Sequence, residues 1–133
     1  MGHLAEYVRL KPTDVQGYLN LGHAFLGTGA FADALRTFVQ GLGQASDAGG
    51  RQELARELLD GGRQALAAGR ATAAVDFLRE YVRHDPANAS AYLTLGRAYL
   101  QAGQVGSAWA AFERVLELNP NDPEASQFLR GRR

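Results

Sequence analysis

The sequence predicts an all-α protein, a right-handed solenoid of stacked helix pairs, and two observations support this fold class. First, one phrase recurs three times: a small residue, a Gly, and an Ala-rich amphipathic stretch that ends in an aromatic residue or Leu. Its shared glycine falls at Gly29, Gly69 and Gly103, with spacings of 40 and 34 residues, and a fixed period in this range marks stacked supersecondary units. Second, apolar residues between these glycines recur at helical spacing, as they do from Tyr18 to Phe25.

The composition excludes several classes of protein. The chain has 133 residues, enough for one domain with a buried core. Basic and acidic residues number 14 each, so no excess charge favours nucleic acid or an anionic membrane as a partner. The absence of Cys excludes disulfides and thiolate chemistry. No apolar run reaches the roughly 18 residues of a membrane span, and no signal-peptide pattern is visible, so a cytoplasmic location is favoured.

The first helix pair is predicted over residues 15–44 of a single domain, 1–133. Its two amphipathic stretches meet at Gly29, because Gly accepts the left-handed geometry that ends a helix. Residues 45–54 are predicted to form a loop or insertion, since several turn-forming residues follow one another there. These residues are Ser46, Asp47, Gly49 and Gly50.

The second and third helix pairs are predicted over residues 55–88 and 89–122. Each ends at a boundary that contains a proline, Pro86 or Pro120, as residues 11–14 do before the first pair. Proline disfavours helix at the residue before it, and a neighbouring Asp, Asn or Thr can cap the helix that follows. The boundaries therefore agree with the glycine period.

Two adjacent glycines, Gly61 and Gly62, fall inside the first helix of the second pair. Each costs about 1 kcal/mol relative to Ala in a helix interior. Gly62 aligns with Gly22 and Gly96, so we expect it at a point of close approach between helices. No packing role is evident for Gly61 from the sequence.

Two further helices are predicted beside the three pairs. Residues 3–12 parallel residues 78–86 and represent the second helix of a repeat without its first helix. This half-repeat suggests that the chain was cut from a longer protein, although a native N-terminal helix would pack in the same way. Residues 123–131 form a capping helix, with Asp122 as N-cap and Pro123 at the first helical position. Such a cap covers the open face of the last repeat.

The pattern resembles the tetratricopeptide repeat, a helix-turn-helix unit of 34 residues. The third pair matches nearly all of the family's positions with Tyr92, Leu95, Gly96, Ala98, Tyr99, Gly103, Ala108, Phe112 and Pro120. The first pair departs from the pattern at Gly41, where Ala is usual, and the second at Gly61, where Leu is usual. The resemblance implies three repeat units and a non-catalytic protein that binds partners on the concave surface of its first helices.

The sequence contains no recognisable catalytic or metal-binding pattern. His3, His23 and His84 are far apart, and no acidic cluster with metal-ligand spacing accompanies them. His84 is expected in the last turn of a helix, where the helix dipole favours a cation. The segment 22–28 faintly resembles a phosphate-binding loop but lacks its Lys. We therefore expect no enzyme activity, no catalytic residue, no metal and no cofactor.

A second apolar stripe runs along the first helix of each pair, apart from the stripe that faces its own partner helix. Aligning the repeats gives two columns of leucines with a column of cations between them, and in the family these columns resemble the positions that line the peptide-binding groove. The leucines are Leu19, Leu59 and Leu93 in one column and Leu26, Leu66 and Leu100 in the other; the cations are His23, Arg63 and Arg97. Helices that are apolar on two faces require cover on both.

Several interpretations of this stripe stay open. The leucines could pack between neighbouring first helices and never contact a ligand. Alternatively, they line a groove for an amphipathic partner peptide with Leu-like anchors and acidic residues. A further alternative is self-association into a homo-oligomer through this groove or the terminal helices. The chain could also be a docking or regulatory domain of a larger protein.

One function of the family is not expected here. Chaperone-binding members hold a C-terminal carboxylate with Lys and Asn side chains. The corresponding positions in this chain are Leu19, His23, Asp60, Ser90 and Thr94. The two-carboxylate clamp is therefore not reproduced, and binding to the acidic tails of heat-shock chaperones is not expected.

Overall fold

A computed structural model describes residues 2–10 and 14–131 of the chain. These residues form eight helices and no strand. In chain order the helices are α1 Gly2–Leu10, α2 Val15–Gly27, α3 Phe31–Gln44, α4 Ala48–Ala67, α5 Ala71–His84, α6 Ala89–Gln101, α7 Val105–Leu118 and α8 Pro123–Arg130. The prediction of an all-α fold made of successive helix pairs is confirmed.

Most element boundaries follow the local sequence signals. Helices α2 and α3 together occupy the predicted range 15–44, and α8 begins at Pro123 as expected. The predicted half-repeat helix over 3–12 corresponds to α1, while residues 11–13 with their proline boundary lie outside the described residues. His84 ends α5, so its predicted place in the last turn of a helix is confirmed.

The predicted loop over residues 45–54 is wrong for most of its length, because α4 begins at Ala48. The carbonyl of Asp47 accepts a hydrogen bond from the Arg51 amide at 3.2 Å, which starts the helix. Packing outweighs the low helix propensity of the glycines here. A Cβ at Gly50 would lie 2.7 Å from the Val15 side chain, so the missing side chain lets this turn approach α2.

Each turn between paired helices has the same geometry. Gly29, Gly69 and Gly103 have φ angles of 78°, 75° and 80°, the left-handed region that disfavours residues with a side chain. After Gly29, the Ala30 amide donates to the Phe25 carbonyl at 2.9 Å, and equivalent bonds follow the other two glycines. These bonds satisfy carbonyls that a helix end leaves free. The predicted glycine turns are confirmed.

The described residues fall into two compact parts that divide between Gly61 and Gly62, inside α4. We call residues up to Gly61 the N-terminal unit and residues from Gly62 the C-terminal unit, and describe each by itself. The sequence predicts a single domain over 1–133. The division falls between the two adjacent glycines of α4.

In the N-terminal unit, neighbouring helices approach closely at glycines, which have no side chain to separate them. A Cβ at Gly22 would overlap the ring of Phe38, which is fully buried. Gly41, where the family usually has Ala, is similar: a Cβ there would lie 2.8 Å from Tyr18 and 3.1 Å from Leu54. At Gly41 the missing side chain leaves room for Tyr18, which is 1% exposed.

The C-terminal unit repeats this arrangement twice. A Cβ at Gly62 would lie 2.7 Å from Leu78, and one at Gly96 would lie 2.7 Å from Phe112. The close approach expected from the alignment of these glycines is confirmed. Helix α8 completes the unit with Ala125, which is fully buried in one cluster with Phe112.

Hydrogen bonds fix the junction between α5 and α6. The Tyr81 hydroxyl donates to Asp85 at 3.0 Å and accepts from the Asn88 side-chain amide at 3.0 Å. The Asn88 side chain also accepts from the Ala91 amide and caps α6. This network sets where α6 begins, and α6 carries three of the predicted groove residues.

Candidate functional site

In the N-terminal unit, the structure places four of the nine predicted groove residues. Leu19 on α2 is only 6% exposed, so it belongs to the core and is not available to a ligand. Leu26 on α2 and Leu59 on α4 are half-buried, and His23 is exposed. For Leu19, this burial favours the interpretation that the leucines pack within the protein.

His23 is held by partners within its own unit. Its Nε2 lies 2.6 Å from Oε2 of Glu57 on α4, and its ring meets that of Phe38 edge-on with centroids 6.1 Å apart. The Glu57 carboxylate was not identified from the sequence as part of the site. Because it lies 34 residues from His23, only the packing of α4 reveals the pair.

The other five predicted residues lie in the C-terminal unit. Leu93 and Leu100 on α6 are half-buried and pack against the core cluster of this unit, which consists of Ala108, Phe112, Val115 and Ala125. Leu66 on α4 is half-buried as well, whereas Arg63 and Arg97 are exposed. These leucines keep part of their surface accessible while their inner atoms stabilise the unit.

Arg97 forms a bidentate ion pair with Glu124 in the first turn of α8. Its Nε donates to Oε2 at 2.7 Å, and one terminal nitrogen donates to Oε1. The hydrogen bonds raise the pKa of Arg97 and lower the pKa of Glu124, so both groups stay charged. Glu124 is the second carboxylate that sequence reasoning missed, since it belongs to the capping helix rather than to a predicted groove column.

Arg63 differs from Arg97, because it forms no ion pair with any residue that the structure describes. It lies close enough to Tyr81 to act on the phenol: burial raises the pKa of Tyr81, and the charge of Arg63 opposes that rise. Arg63 is thus an exposed cation at the edge of the C-terminal unit's core. Among residues 2–10 and 14–131, no hydrogen bond or ion pair occupies its guanidinium donors.

Two of the positions that correspond to the family's carboxylate clamp interact with each other. The hydroxyl of Thr94 donates to the backbone carbonyl of Ser90 at 3.0 Å, and the Thr94 side chain is buried. Thr94 therefore offers no free donor to a ligand. This agrees with the expectation that the clamp is not reproduced.

A depression of about 750 Å³ lies on α8 and the segment before it, outside the predicted columns. Leu116, Leu129 and Arg130 are among its lining residues. Arg130 follows Gly96 by 34 residues, so it occupies the repeat position where glycine permits close helix packing. An Arg side chain at this position would obstruct a helix that packed on α8 as α7 packs on α6.

The described ranges, 2–10 and 14–131, contain neither a metal-binding group nor a helix that could span a membrane. No three or more His, Asp or Glu residues there are grouped so that they could hold a metal ion. Nor is any helix in those ranges both long and apolar enough to cross a membrane.

Residues 65–130 match the family model of the tetratricopeptide repeat. The chain belongs to the tetratricopeptide repeat family. The match covers the C-terminal unit almost completely, and with it α8. Among proteins of curated function, none matches the sequence.

Solved structures share the tetratricopeptide fold of this chain. MamA, residues 41 to end, from Desulfovibrio magneticus RS-1 is 25% identical with a TM-score of 0.57, over 95% of this chain and 68% of that one. The second tetratricopeptide domain of human RPAP3, in complex with an HSP70 peptide, is 19% identical with a TM-score of 0.58. This match covers 86% of this chain and 90% of that one. The first tetratricopeptide domain of Spaghetti (RPAP3), bound to the HSP90 peptide SRMEEVD, is 21% identical with a TM-score of 0.59. This match covers 90% of this chain and 92% of that one.

Proposed function

We propose that this tetratricopeptide protein is a non-catalytic interaction module that binds an amphipathic, acidic segment of a partner protein. The binding surface is the part of the predicted groove in the C-terminal unit, which we call the Leu–Arg surface. It consists of Arg63, Leu66, Leu93, Arg97 and Leu100. The observation that carries the proposal is the combination of two exposed guanidinium groups with three half-buried leucines in one unit.

The leucines would supply most of the affinity. A Leu-like anchor that becomes buried contributes about 1.5 to 3 kcal/mol, so three anchors contribute roughly 5 to 9 kcal/mol before the costs of association. Because Leu93 and Leu100 are already partly packed against the core, the lower end of this range applies. The resulting affinity for a short peptide is in the range of hundreds of micromolar or weaker, since a Kd of about 1 mM corresponds to 4.1 kcal/mol.

The arginines would select the charge of the ligand. A guanidinium pairs with a carboxylate in a planar, two-bond geometry that a Lys or a neutral side chain of the ligand does not provide. Charges at the edge of an interface influence the association rate and the choice of partner more than the total affinity. We therefore expect acidic residues beside the apolar anchors of the ligand.

Some tetratricopeptide domains of the same fold hold chaperone peptides that end in EEVD. We do not extend that specificity to this chain, because its clamp positions include the buried residues Leu19 and Thr94. We expect the protein to recognise instead the apolar anchors and the side-chain carboxylates of its ligand. The peptide SRMEEVD is consequently a suitable negative control.

The proposal is tested by fluorescence anisotropy with labelled synthetic peptides of about 15 residues, long enough for a two-turn anchor pattern. The test peptide, called the Leu–Glu peptide, carries Leu at i, i+4 and i+7 with Glu between them. Matched peptides replace the Leu residues with Ser, or the Glu residues with Gln. Sedimentation of the protein alone is measured in parallel, because a copy that fills the groove would produce a concentration-dependent oligomer.

Saturable binding of the Leu–Glu peptide, weakened by both replacements, would support the proposal. An affinity that the Leu-to-Ser replacement leaves unchanged would contradict the proposal. Binding of SRMEEVD with the same affinity as the Leu–Glu peptide would also contradict it. A stable oligomer with no peptide binding would favour self-association through the groove instead.

A further inference from the structure

Glu124 is held in place by the packing of α8 rather than being a freely moving surface side chain. The Asp122 carboxylate accepts a hydrogen bond from the Ala125 amide at 2.8 Å and caps the helix. Ala125 is fully buried, and the Phe128 ring packs on Phe112 with centroids 4.6 Å apart. The cap and the buried Ala125 fix the first turn of α8, and the Phe128 ring fixes its second turn, so the Glu124 carboxylate stays close to α6.

The two hydrogen bonds from Arg97 use Nε and one terminal nitrogen, the side of the guanidinium that best matches a carboxylate. The ion pair remains open to solvent, because the side chains of Arg97 and Glu124 are 49% and 43% exposed. A carboxylate from outside could therefore reach the pair. It would meet an Arg97 whose preferred side is occupied and whose charge is largely neutralised.

We propose that Glu124 is an internal competitor for the ligand's carboxylate: it occupies Arg97 as an acidic side chain of the partner would, and thereby lowers the affinity of the Leu–Arg surface for acidic ligands. This inference rests on the proposed function. It also specifies the ligand group that Arg97 reads, a side-chain carboxylate bound through two hydrogen bonds.

Arg63 provides the internal comparison. It stands at the equivalent position of the preceding repeat but has no ion-pair partner among the residues that the structure describes. In the absence of a competitor, Arg63 binds the first carboxylate of a ligand. Arg97 binds a second one only when the Glu124 carboxylate moves aside. The surface therefore discriminates between ligands with one acidic residue and ligands with two.

The experiment measures the affinity of the Leu–Glu peptide for the wild-type chain and for Glu124→Gln, which keeps the shape of the side chain but removes its charge. Exposed ion pairs are weak, so we expect Glu124→Gln to bind about two- to fivefold more tightly. The Arg97→Gln variant and the double variant complete a double-mutant cycle. In the Arg97→Gln background, Glu124→Gln should no longer increase the affinity, because the competition acts through Arg97.

Glu117→Gln is the matched control, because Glu117 pairs with Arg114 on α7 and not with Arg97. It should leave the affinity unchanged. Equal or weaker binding to Glu124→Gln would overturn the inference and leave the proposed function standing. A gain that persists without Arg97 would also overturn it, because loosening of α8 would then be the cause. If neither the wild-type chain nor Glu124→Gln binds the Leu–Glu peptide, the inference and the proposed function both fail.

Discussion

The guanidinium of Arg97 binds the carboxylate of Glu124 through two hydrogen bonds and joins α6 to α8. The pair connects the middle of the Leu–Arg surface with α8. It therefore has two roles that can be measured separately. One is a contribution to the stability of α8, and the other is the occupation of a cation that a ligand would use.

The stability contribution of this pair should depend on pH. Glu124 has a lower pKa in the folded protein than in the unfolded chain, so the unfolded state binds more protons between the two values. The contribution is therefore present above the ordinary Glu pKa of about 4.3 and is lost as the pH falls through the folded value. Urea unfolding from pH 6 down to pH 3 should show a smaller loss of stability for Glu124→Gln than for wild type. Parallel pH profiles would contradict this prediction.

The close packing at Gly96 should make it intolerant of a side chain. A Cβ there would lie 2.7 Å from the Phe112 ring, which is 1% exposed. We expect Gly96→Ala to lower the free energy of unfolding by about 1 to 3 kcal/mol. The matched control is Gly106→Ala on α7, where no atom lies within 4 Å of the added Cβ.

The control should leave stability unchanged or increase it by up to about 1 kcal/mol, because Ala restricts the unfolded chain. Urea unfolding followed by circular dichroism measures both variants. If the two variants behave alike, the packing account of the repeat glycines is wrong.

Loss of the N-cap of α8, Asp122, should destabilise the protein, and another capping residue at this position should restore the stability. Asp122→Ala removes the acceptor for the Ala125 amide, and we expect a loss of about 1 kcal/mol in thermal unfolding. Asp122→Asn should restore most of it, because Asn also caps helices well. Asn121→Ala, beside the cap, should change stability by less than about 0.5 kcal/mol. Equal effects at residues 121 and 122 would argue against the cap.

Local signals in the sequence were sufficient to predict most of the fold. The turns at Gly69 and Gly103 follow from the need for a left-handed residue, and the start of α8 follows from Asp122 and Pro123. The roles of Gly62 and Gly96 follow from alignment of the repeats. In each case the cause lies in the residue itself or in a neighbour one repeat away.

The start of α4 could not be predicted, because its cause is a tertiary contact. Gly49 and Gly50 are typical of a loop, yet Gly50 is buried against Val15 and the helix continues through it. The role of Gly41 is similar, since it depends on the position of Tyr18. Local propensity alone is overridden where packing supplies more free energy.

The sequence identified the cations of the candidate site but not their partners. Glu57 and Glu124 lie on helices that pack beside α2 and α6, at separations of 34 and 27 residues, and no periodic pattern marks them. The burial of Leu19 could not be predicted either, because the equivalent leucines of the other two repeats, Leu59 and Leu93, are only half-buried. Alignment of repeats finds equivalent positions, but their exposure depends on which side chains surround them.

If the Leu–Arg surface binds acidic residues of its ligand through Arg63, reversing the charge of this residue should reverse the preference for ligand charge. The affinities of the Leu–Glu peptide and of a Leu–Lys version are measured for wild type, Arg63→Glu and the control Arg79→Glu, an exposed residue on α5. We expect Arg63→Glu to weaken the Leu–Glu peptide by roughly tenfold and to strengthen the Leu–Lys peptide, while Arg79→Glu changes neither. If Arg63→Glu and Arg79→Glu give the same affinities for both peptides, the account is contradicted.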